Sequence, residues 1–286
     1  MKDEIYNQAG GDGSTNIQGT TVNISGLSYS DVKTICQDLF KDNFLALRSA
    51  AKETADERIE EFQQEFLNRL QERFPEVPTS IGDPGVHSAI FEGQKAYAMS
   101  GDSDVGGNVI TLLIDRISAE KRTLYQLLVA ESLVILPKLT SNELNILAAL
   151  FFIKCIEIQV PDLPTLEKAI RLQLLPFIES SVPKKTSLKH LDYCGCISLP
   201  RGMSIGTMKI EQHFFQKYQH ILPEDYSLEM MRAWLDAIDP VLAEALNTWN
   251  IYEVAQADLT YVGIIIAEAH YSRRTGERTK IDSLFE

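Results

Sequence analysis

Two cysteines and two histidines in the C-terminal third have residue types that could bind a metal ion. Cys194 and Cys196 are separated by one glycine, His190 lies four residues before them, and His213 follows. Zinc takes three or four thiolate or imidazole ligands in a tetrahedron. The chain has no second cysteine pair, and this spacing matches no standard zinc ribbon. We therefore expect a packed hairpin with small buried thiols and no metal or cofactor, and we keep a metal site as the alternative.

The same residues, together with Tyr193, are the place where an enzyme would need a convergent polar pocket. A catalytic cysteine needs a base and a group that orients the base. The sequence alone does not place any of its five histidines beside a thiol. The motifs GxSxG, HExxH and GxxxxGK[ST] do not occur. The sequence thus favours a protein without enzymatic activity and identifies no catalytic residue.

A basic cluster near the end of the chain indicates a second kind of contact. Residues 259–263, Leu-Thr-x-x-Gly, precede an apolar helix and resemble the closing segment of winged-helix domains, which implies a DNA-linked regulator as one alternative. The net charge of -13 argues against general nucleic-acid binding, which requires cations that neutralise phosphate. Cations at the end of a helix also complement its dipole without any ligand. The cluster consists of Arg273, Arg274, Arg278 and Lys280.

The N-terminal segment has the composition of a sequence that assembles with copies of itself. Residues 5–25 are rich in Gly, Asn, Gln, Thr and Ser, and the stretch 7–10 (NQAG) is echoed at 16–19 (NIQG). Its few apolar side chains bury too little area to offset chain entropy. Stacked copies would pair every backbone group and align Asn and Gln side chains in ladders. We therefore predict homotypic assembly, with a flexible tail or short edge strands as the alternative.

This segment resembles the core of the RIP homotypic interaction motif and the bacterial amyloid signalling motifs compared with it. Those motifs read branched-apolar, Gln, apolar, Gly, two spacers, Asn. Here Gly19 follows Gln18 directly, and Asn23 lies four residues after that glycine. The resemblance implies that homotypic contacts are carried by Gln8, Gly10, Asn16, Ile17, Gln18, Gly19, Asn23 and Ile24.

A wider resemblance covers most of the chain. The polar leader runs into GLSYSDVKTICQDLFKDNF (residues 26–44), a charged helix follows, and LTYVGIIIAEAHYSRRTG (residues 259–276) comes near the end. Together these resemble an uncharacterised bacterial family that we associate with defence systems. The resemblance implies a homo-oligomeric adaptor, sensor or effector in anti-phage defence, with a phage or host protein as its trigger. It brings no catalytic residues.

Composition limits the class and compartment that we expect. With 44% hydrophobic and 23% charged residues, the chain reads as an ordinary soluble globular protein of one large or two smaller domains. The first residues contain no apolar signal region, and four irregularly spaced cysteines favour a reduced, cytoplasmic protein. The most apolar run, residues 144–160, is interrupted by Lys154 and Glu157 and is too short to span a bilayer. Membrane disruption after a conformational change stays an alternative.

The elements that position these residues are predicted to be mostly helices. Apolar side chains recur at helical spacing from Ser28 to Phe74, with a weak stripe at residues 50–58 where the helix could kink or break. A helix of that length is typical of a stalk or a coiled-coil arm. We expect four of its apolar residues to align subunits: Ile59, Phe62, Phe66 and Leu70.

The remainder of the chain is predicted to be a helical bundle followed by a smaller unit. Thr140 and Glu143 form a capping box before an apolar helix, and residues 194–209 have strand-like residues broken by Gly and Pro. The predicted fold is mainly α, a helical bundle with a long N-terminal helix, a β-prone N-terminal segment and a small C-terminal β-hairpin. The predicted units are a self-assembly segment (1–26), a long helix or stalk (27–78), a central helical bundle (79–182) and an α+β unit (183–286).

Overall fold

The computed structural model describes residues 27–43, 49–118, 123–200, 208–279 and 281. Within these ranges the protein has thirteen α-helices and two short strands, which confirms the predicted mainly-α fold. In chain order they are α1 (Tyr29–Asn43), α2 (Ser49–Arg73), α3 (Pro84–Ser100), α4 (Ser103–Ser118), α5 (Leu124–Ile135), α6 (Ser141–Lys154), α7 (Leu163–Gln173), α8 (Leu175–Glu179), α9 (Lys185–Tyr193), β1 (Ile197–Ser198), α10 (Ile210–Lys217), α11 (Leu228–Ile238), α12 (Pro240–Ile251), β2 (Asp258–Leu259) and α13 (Tyr261–Thr275). Short 3-10 turns connect some of them: Thr79–Gly82, Leu136–Lys138, Gln219–Ile221 and Val254–Gln256.

Helices α6 and α13 lie at the centre of the bundle. Every residue of α6 from Glu143 to Ile153 is buried, as expected of a helix that is apolar on all sides. Helix α13 packs against α4, α5 and α6. The Tyr271 ring on α13 contacts Phe151, Phe152 and Phe177, with ring centroids 5.7 to 6.4 Å apart. The capping box predicted for Thr140 and Glu143 is present at the start of α6.

The N-terminal part contains a long helix, but not one that continues from Ser28 to Phe74. The Tyr29 hydroxyl at the start of α1 donates to the Phe74 carbonyl after the end of α2, 2.7 Å away. One straight helix would separate those residues by roughly 68 Å at about 1.5 Å per residue. The two helices instead pack on each other and on α3, so Ser28 to Phe74 is not one straight helix, in line with the kink or break that the sequence allowed. The 25-residue α2 is the long helix, and it lies against the bundle.

The two short strands join distant parts of the chain. Strands β1 and β2 are antiparallel, with Ile197 opposite Leu259 and Ser198 opposite Asp258. The strand predicted after Cys194 therefore exists, but its partner lies about sixty residues further on instead of in the predicted local hairpin. The Thr260 amide donates to the Cys196 carbonyl, 3.0 Å away, and extends this contact to the first turn of α13.

Among the helices of the described ranges, none is both long and apolar enough to cross a bilayer.

Candidate functional site

The C-terminal end of α9 places a histidine beside a cysteine. His190 and Cys194 are four residues apart and therefore share one face of the helix. The Cys194 Sγ lies 3.6 Å from His190 Nε2. The helix ends there because Gly195 adopts a left-handed conformation with φ of 72°, a backbone state that glycine favours. This local geometry brings together two of the residues that the sequence predicted for a site.

A third group, Glu143, completes a chain of side chains. Its Oε2 accepts hydrogen bonds from the Thr140 amide and hydroxyl in the capping box, at 2.9 Å each. Its Oε1 lies 2.7 Å from His190 Nδ1. When Nδ1–H donates to this carboxylate, Nε2 is left to accept the Cys194 S–H. The order carboxylate, imidazole, thiol is the one that nucleophilic sites use.

Burial and charge keep the resting thiol protonated. Burial is the main cause that raises the pKa of Cys194, the negative charge of Glu143 raises it further, and Lys138 opposes them. The neighbouring Cys196 is fully buried, and burial raises its pKa to about 12. Of these two thiols, Cys194 has a base beside it. Its thiol proton would be transferred to His190.

The arrangement does not converge as a metal site would. Glu143 and Cys194 contact opposite nitrogens of the His190 ring, so the three groups form a line and do not surround one point. In the described part of the chain, no group of three or more His, Cys, Asp or Glu side chains is placed to hold a metal ion. His213 lies elsewhere and contacts the Ala255 carbonyl, 3.3 Å from Nε2.

The backbone around Cys194 does not supply an oxyanion hole. The amides of Cys194, Gly195 and Cys196 donate to carbonyls of α9, at 2.8 to 3.0 Å. Acyl transfer relies on free donors at the developing oxyanion, and these amides are already used. Tyr193 is 86% exposed and does not enclose the thiol with its neighbours. The geometry therefore supports proton transfer from Cys194 more than chemistry on a carbonyl substrate.

A second buried polar cluster surrounds His270 on α13. Asn108 Nδ2 lies 3.0 Å from His270 Nδ1, and Asn145 Oδ1 lies 3.0 Å from His270 Nε2. Asn145 also donates to the Ser180 carbonyl at 3.2 Å. The Asn108 side-chain amide can only donate through Nδ2, so His270 Nδ1 accepts, and His270 Nε2 carries the proton and donates to Asn145. Both ring nitrogens are thus bonded in a neutral imidazole, which suits a fully buried histidine.

The predicted basic cluster is largely engaged within the fold. Arg273 pairs with Asp104, and Arg278 pairs with Asp115. Arg274 donates to Asn145 Oδ1 at 2.8 Å, and its guanidinium lies 5.4 Å from the Phe177 ring centroid. These contacts favour a structural role, whereas phosphate binding would have to break them. The fourth member, Lys280, lies outside the described residues.

The apolar residues predicted to align subunits are in the protein's own core. Ile59, Phe62, Phe66 and Leu70 are 0 to 5% exposed. The Phe62 ring contacts Phe66 and Tyr97, with centroids 6.4 and 6.0 Å apart. A subunit interface on α2 would therefore use its outer face, which is exposed and acidic. That face includes Glu53, Asp56, Glu57, Glu60, Glu61 and Glu65.

The predicted self-assembly residues, Gln8 to Ile24, lie outside the described residues. Their role stays a prediction. Sequence reasoning did not find Glu143 as a partner of His190, because the two are 47 residues apart. The sequence signal for Glu143 was only its capping box. Sequence reasoning also did not find His270, because its only signal in the sequence is its position within an apolar helix.

Comparison with known proteins adds one match. A protein-family model described only as ":-like" matches residues 26–229. The match covers most of the chain and begins where the polar N-terminal segment ends. No curated protein and no solved structure shows significant similarity to the chain. The chain therefore belongs to the family that the ":-like" model describes.

Proposed function

We propose that the protein is a homo-oligomerising adaptor, sensor or effector whose N-terminal segment makes the homotypic contacts. The observation that carries the proposal is the composition of residues 5–25, which is uncharged in most positions, rich in Gly, Asn and Gln, and doubled in its NQAG and NIQG stretches. Stacked copies of such a segment satisfy their backbone groups and side-chain amides together. The contacts would be made by Gln8, Gly10, Asn16, Ile17, Gln18, Gly19, Asn23 and Ile24.

The start of the family match supports a separate role for this segment. The family match starts at Gly26. Ser28 then caps the start of α1, since its hydroxyl accepts from the Asp31 amide at 3.2 Å and its own amide donates to Asp31 Oδ2 at 2.8 Å. Val32 and Cys36 on α1 are buried in the core. The segment is thus attached to a helix start that is fixed to the bundle.

The negative charge of the chain would keep subunits separate until a trigger acts. The net charge of -13 makes subunits repel one another. The exposed acidic face of α2 adds to this repulsion close to the bundle surface. A trigger that neutralises or covers this charge would lower the barrier to assembly. The bundle would receive the signal from such a trigger, and the N-terminal segment would convert it into assembly.

The setting that we propose is bacterial anti-phage defence in the cytoplasm. This part rests on the resemblance of the N-terminal segment to amyloid signalling motifs and of the wider chain to a defence-associated family. A phage or host protein would be the trigger, and further copies of the chain would be the direct partners.

The test compares assembly states across a concentration series. Full-length protein, a truncated chain starting at Gly26, and Gln18→Ala would be measured by light scattering and negative-stain microscopy. Gln37→Ala is the matched control, because Gln37 is an exposed glutamine on α1 outside the segment. The proposal expects large or fibrous assemblies from the full-length protein and from Gln37→Ala, but not from the other two. Identical small oligomers in all four samples, in the presence of a neutralising polycation as well, would overturn it.

A further inference from the structure

We propose that Cys194 is a peroxide-reactive thiol, with His190 as its base and Glu143 as the residue that positions the base. This inference is independent of the assembly function. It starts from the two distances on the His190 ring, 3.6 Å to the thiol and 2.7 Å to the carboxylate. These distances place a proton acceptor at the sulfur and a negative charge where the imidazolium would form.

The Glu143 carboxylate is held in place by its hydrogen bonds in the capping box of α6. Its Oε2 closes the capping box of α6 with Thr140, and this leaves Oε1 directed at His190. Glu143 is 3% exposed, so little water reaches its carboxylate to screen its charge. A fixed carboxylate stabilises the imidazolium that forms when His190 takes the thiol proton, and this opposes the direct effect of the Glu143 charge, which raises the pKa of Cys194.

Access to the sulfur selects a small oxidant. Cys194 is 8% exposed, whereas the His190 side chain beside it is 40% exposed. At this low exposure a molecule the size of hydrogen peroxide reaches the thiol more readily than a peptide or a lipid does. The amides nearby are used by α9, so a carbonyl substrate would find no oxyanion donors. Oxidation by a hydroperoxide requires no such donors.

The proposed step balances as follows. His190 Nε2 takes the proton of Cys194, and the thiolate sulfur attacks one oxygen of the peroxide. An S–O bond forms and the O–O bond breaks, so the sulfur loses two electrons and the peroxide is reduced. The leaving hydroxide takes the proton from His190 and becomes water. The products are a Cys194 sulfenic acid and one water molecule, and His190 returns to its neutral state.

The other three thiols lack this combination. Cys36 and Cys196 are buried at 1% and 0% exposure, and burial raises the pKa of each to about 12. Cys155 is exposed, and burial of part of its side chain raises its pKa, while Lys217 and Lys154 oppose that change. Within the described residues, Cys155 makes no hydrogen bond with a histidine, so it serves as a competing thiol in the same molecule.

The test treats folded full-length protein with hydrogen peroxide, removes the peroxide with catalase, and then unfolds the protein in the presence of dimedone, which labels sulfenic acids. Peptide mass spectrometry then gives the labelling rate of Cys194 relative to Cys155. We expect Cys194 to react faster although Cys155 is more exposed. His190→Gln is expected to slow Cys194 about tenfold or more at neutral pH and to leave Cys155 unchanged. Lys189→Gln, at the exposed neighbouring position on α9, is the matched control and is expected to change neither rate.

A second readout separates proton transfer from a merely structural role. The Cys194 rate of the unaltered protein is expected to depend on pH, and His190→Gln is expected to change that pH profile because the base is gone. Glu143→Gln keeps a capping side chain on α6 and is expected to slow Cys194 while Cys155 is unchanged. The proposal is overturned if Cys155 is labelled as fast as Cys194. It is also overturned if His190→Gln leaves the pH profile of Cys194 unchanged.

Discussion

The carbonyl oxygen of Cys196 occupies the position that a β-carbon on Gly263 would need. A β-carbon built on Gly263 would lie 1.8 Å from that oxygen and 2.8 Å from the carbonyl carbon. Gly263 belongs to the first turn of α13, and its amide donates to the Thr260 hydroxyl at 3.0 Å. The loop after α9 and the start of α13 can approach this closely only because Gly263 has no side chain.

The first prediction concerns this contact. Gly263→Ala is expected to destabilise the protein by about 3 kcal/mol or more, because the obstructing atoms are backbone and cannot rotate away. Urea unfolding followed by circular dichroism measures the change. Gly82→Ala is the control, since a β-carbon there meets no atom within 4 Å, and we expect a change within about 0.5 kcal/mol. Equal stabilities for the two variants would contradict the packing described for Cys196.

The second prediction concerns the acid side of the stability curve. Burial is the main cause that lowers the pKa of His270 from 6.5 to about 3; Arg273 and Arg274 lower it too, while Asp104 and Asp102 raise it. The unfolded chain therefore binds a proton before the folded protein does. Stability is expected to be fully present above about pH 6.5 and to fall below it, with a slope of up to about 1.4 kcal/mol per pH unit from this group.

Denaturant unfolding across pH measures that slope in variants. His270→Gln is expected to show a shallower loss of stability between about pH 6.5 and pH 3 than the unaltered protein. His220→Gln removes an exposed histidine and is expected to keep the original slope. If the His270→Gln slope matches that of the unaltered protein, another group takes up the proton.

The third prediction concerns Lys217, the last residue of α10, whose side chain reaches the C-terminal end of α6. Lys217 Nζ donates to the carbonyls of Phe152, Ile153 and Ile156, three acceptors left free at the helix end. Burial lowers the pKa of Lys217 to about 8, so it is still charged at neutral pH. Lys217→Met is expected to cost about 2 kcal/mol or more, because the buried carbonyls lose their donor. Lys168→Met, on the exposed face of α7, is the control in the same thermal unfolding assay and should change little.

The fourth prediction links assembly to ionic strength. Raising sodium chloride from about 50 to 500 mM shortens the range of repulsion between acidic subunits. The concentration at which full-length protein begins to scatter light is therefore expected to fall. The chain starting at Gly26 is expected to show no such threshold in either buffer. A threshold that is the same in both salts for the full-length protein would mean that charge does not restrain assembly.

Part of this fold follows directly from local sequence. The capping box at Thr140 needs only four residues, and the apolar run after it needs no distant partner to indicate a buried helix. The period of Ile59, Phe62, Phe66 and Leu70 identified a buried face on α2. From the sequence, that face is predicted to make subunit contacts. The spacing of apolar residues shows which side of a helix is buried, but it does not show whether the same chain or another subunit covers that side.

Long-range pairing could not be predicted in the same way. Nothing in the two-residue strand at Ile197 specifies Leu259 as its partner, because so short a strand has no pattern of its own to match. The contact of Glu143 with His190 depends on how α6 and α9 pack. Helix α1 ends at Asn43 and α2 begins at Ser49, whereas the weak stripe where a kink or break was expected lies at residues 50–58.

The central place of α13 has a consequence for the order of events during synthesis. This helix supplies a middle layer between α4, α5 and α6, yet it is encoded at residues 261–275. Those three helices leave the ribosome long before α13. The apolar faces that pack on α13 therefore stay exposed until it is synthesised, as is common in partly folded chains. On a polysome, each nascent chain would thus present an open bundle until residues 261–275 have emerged, and chaperones that bind during translation would cover that apolar surface.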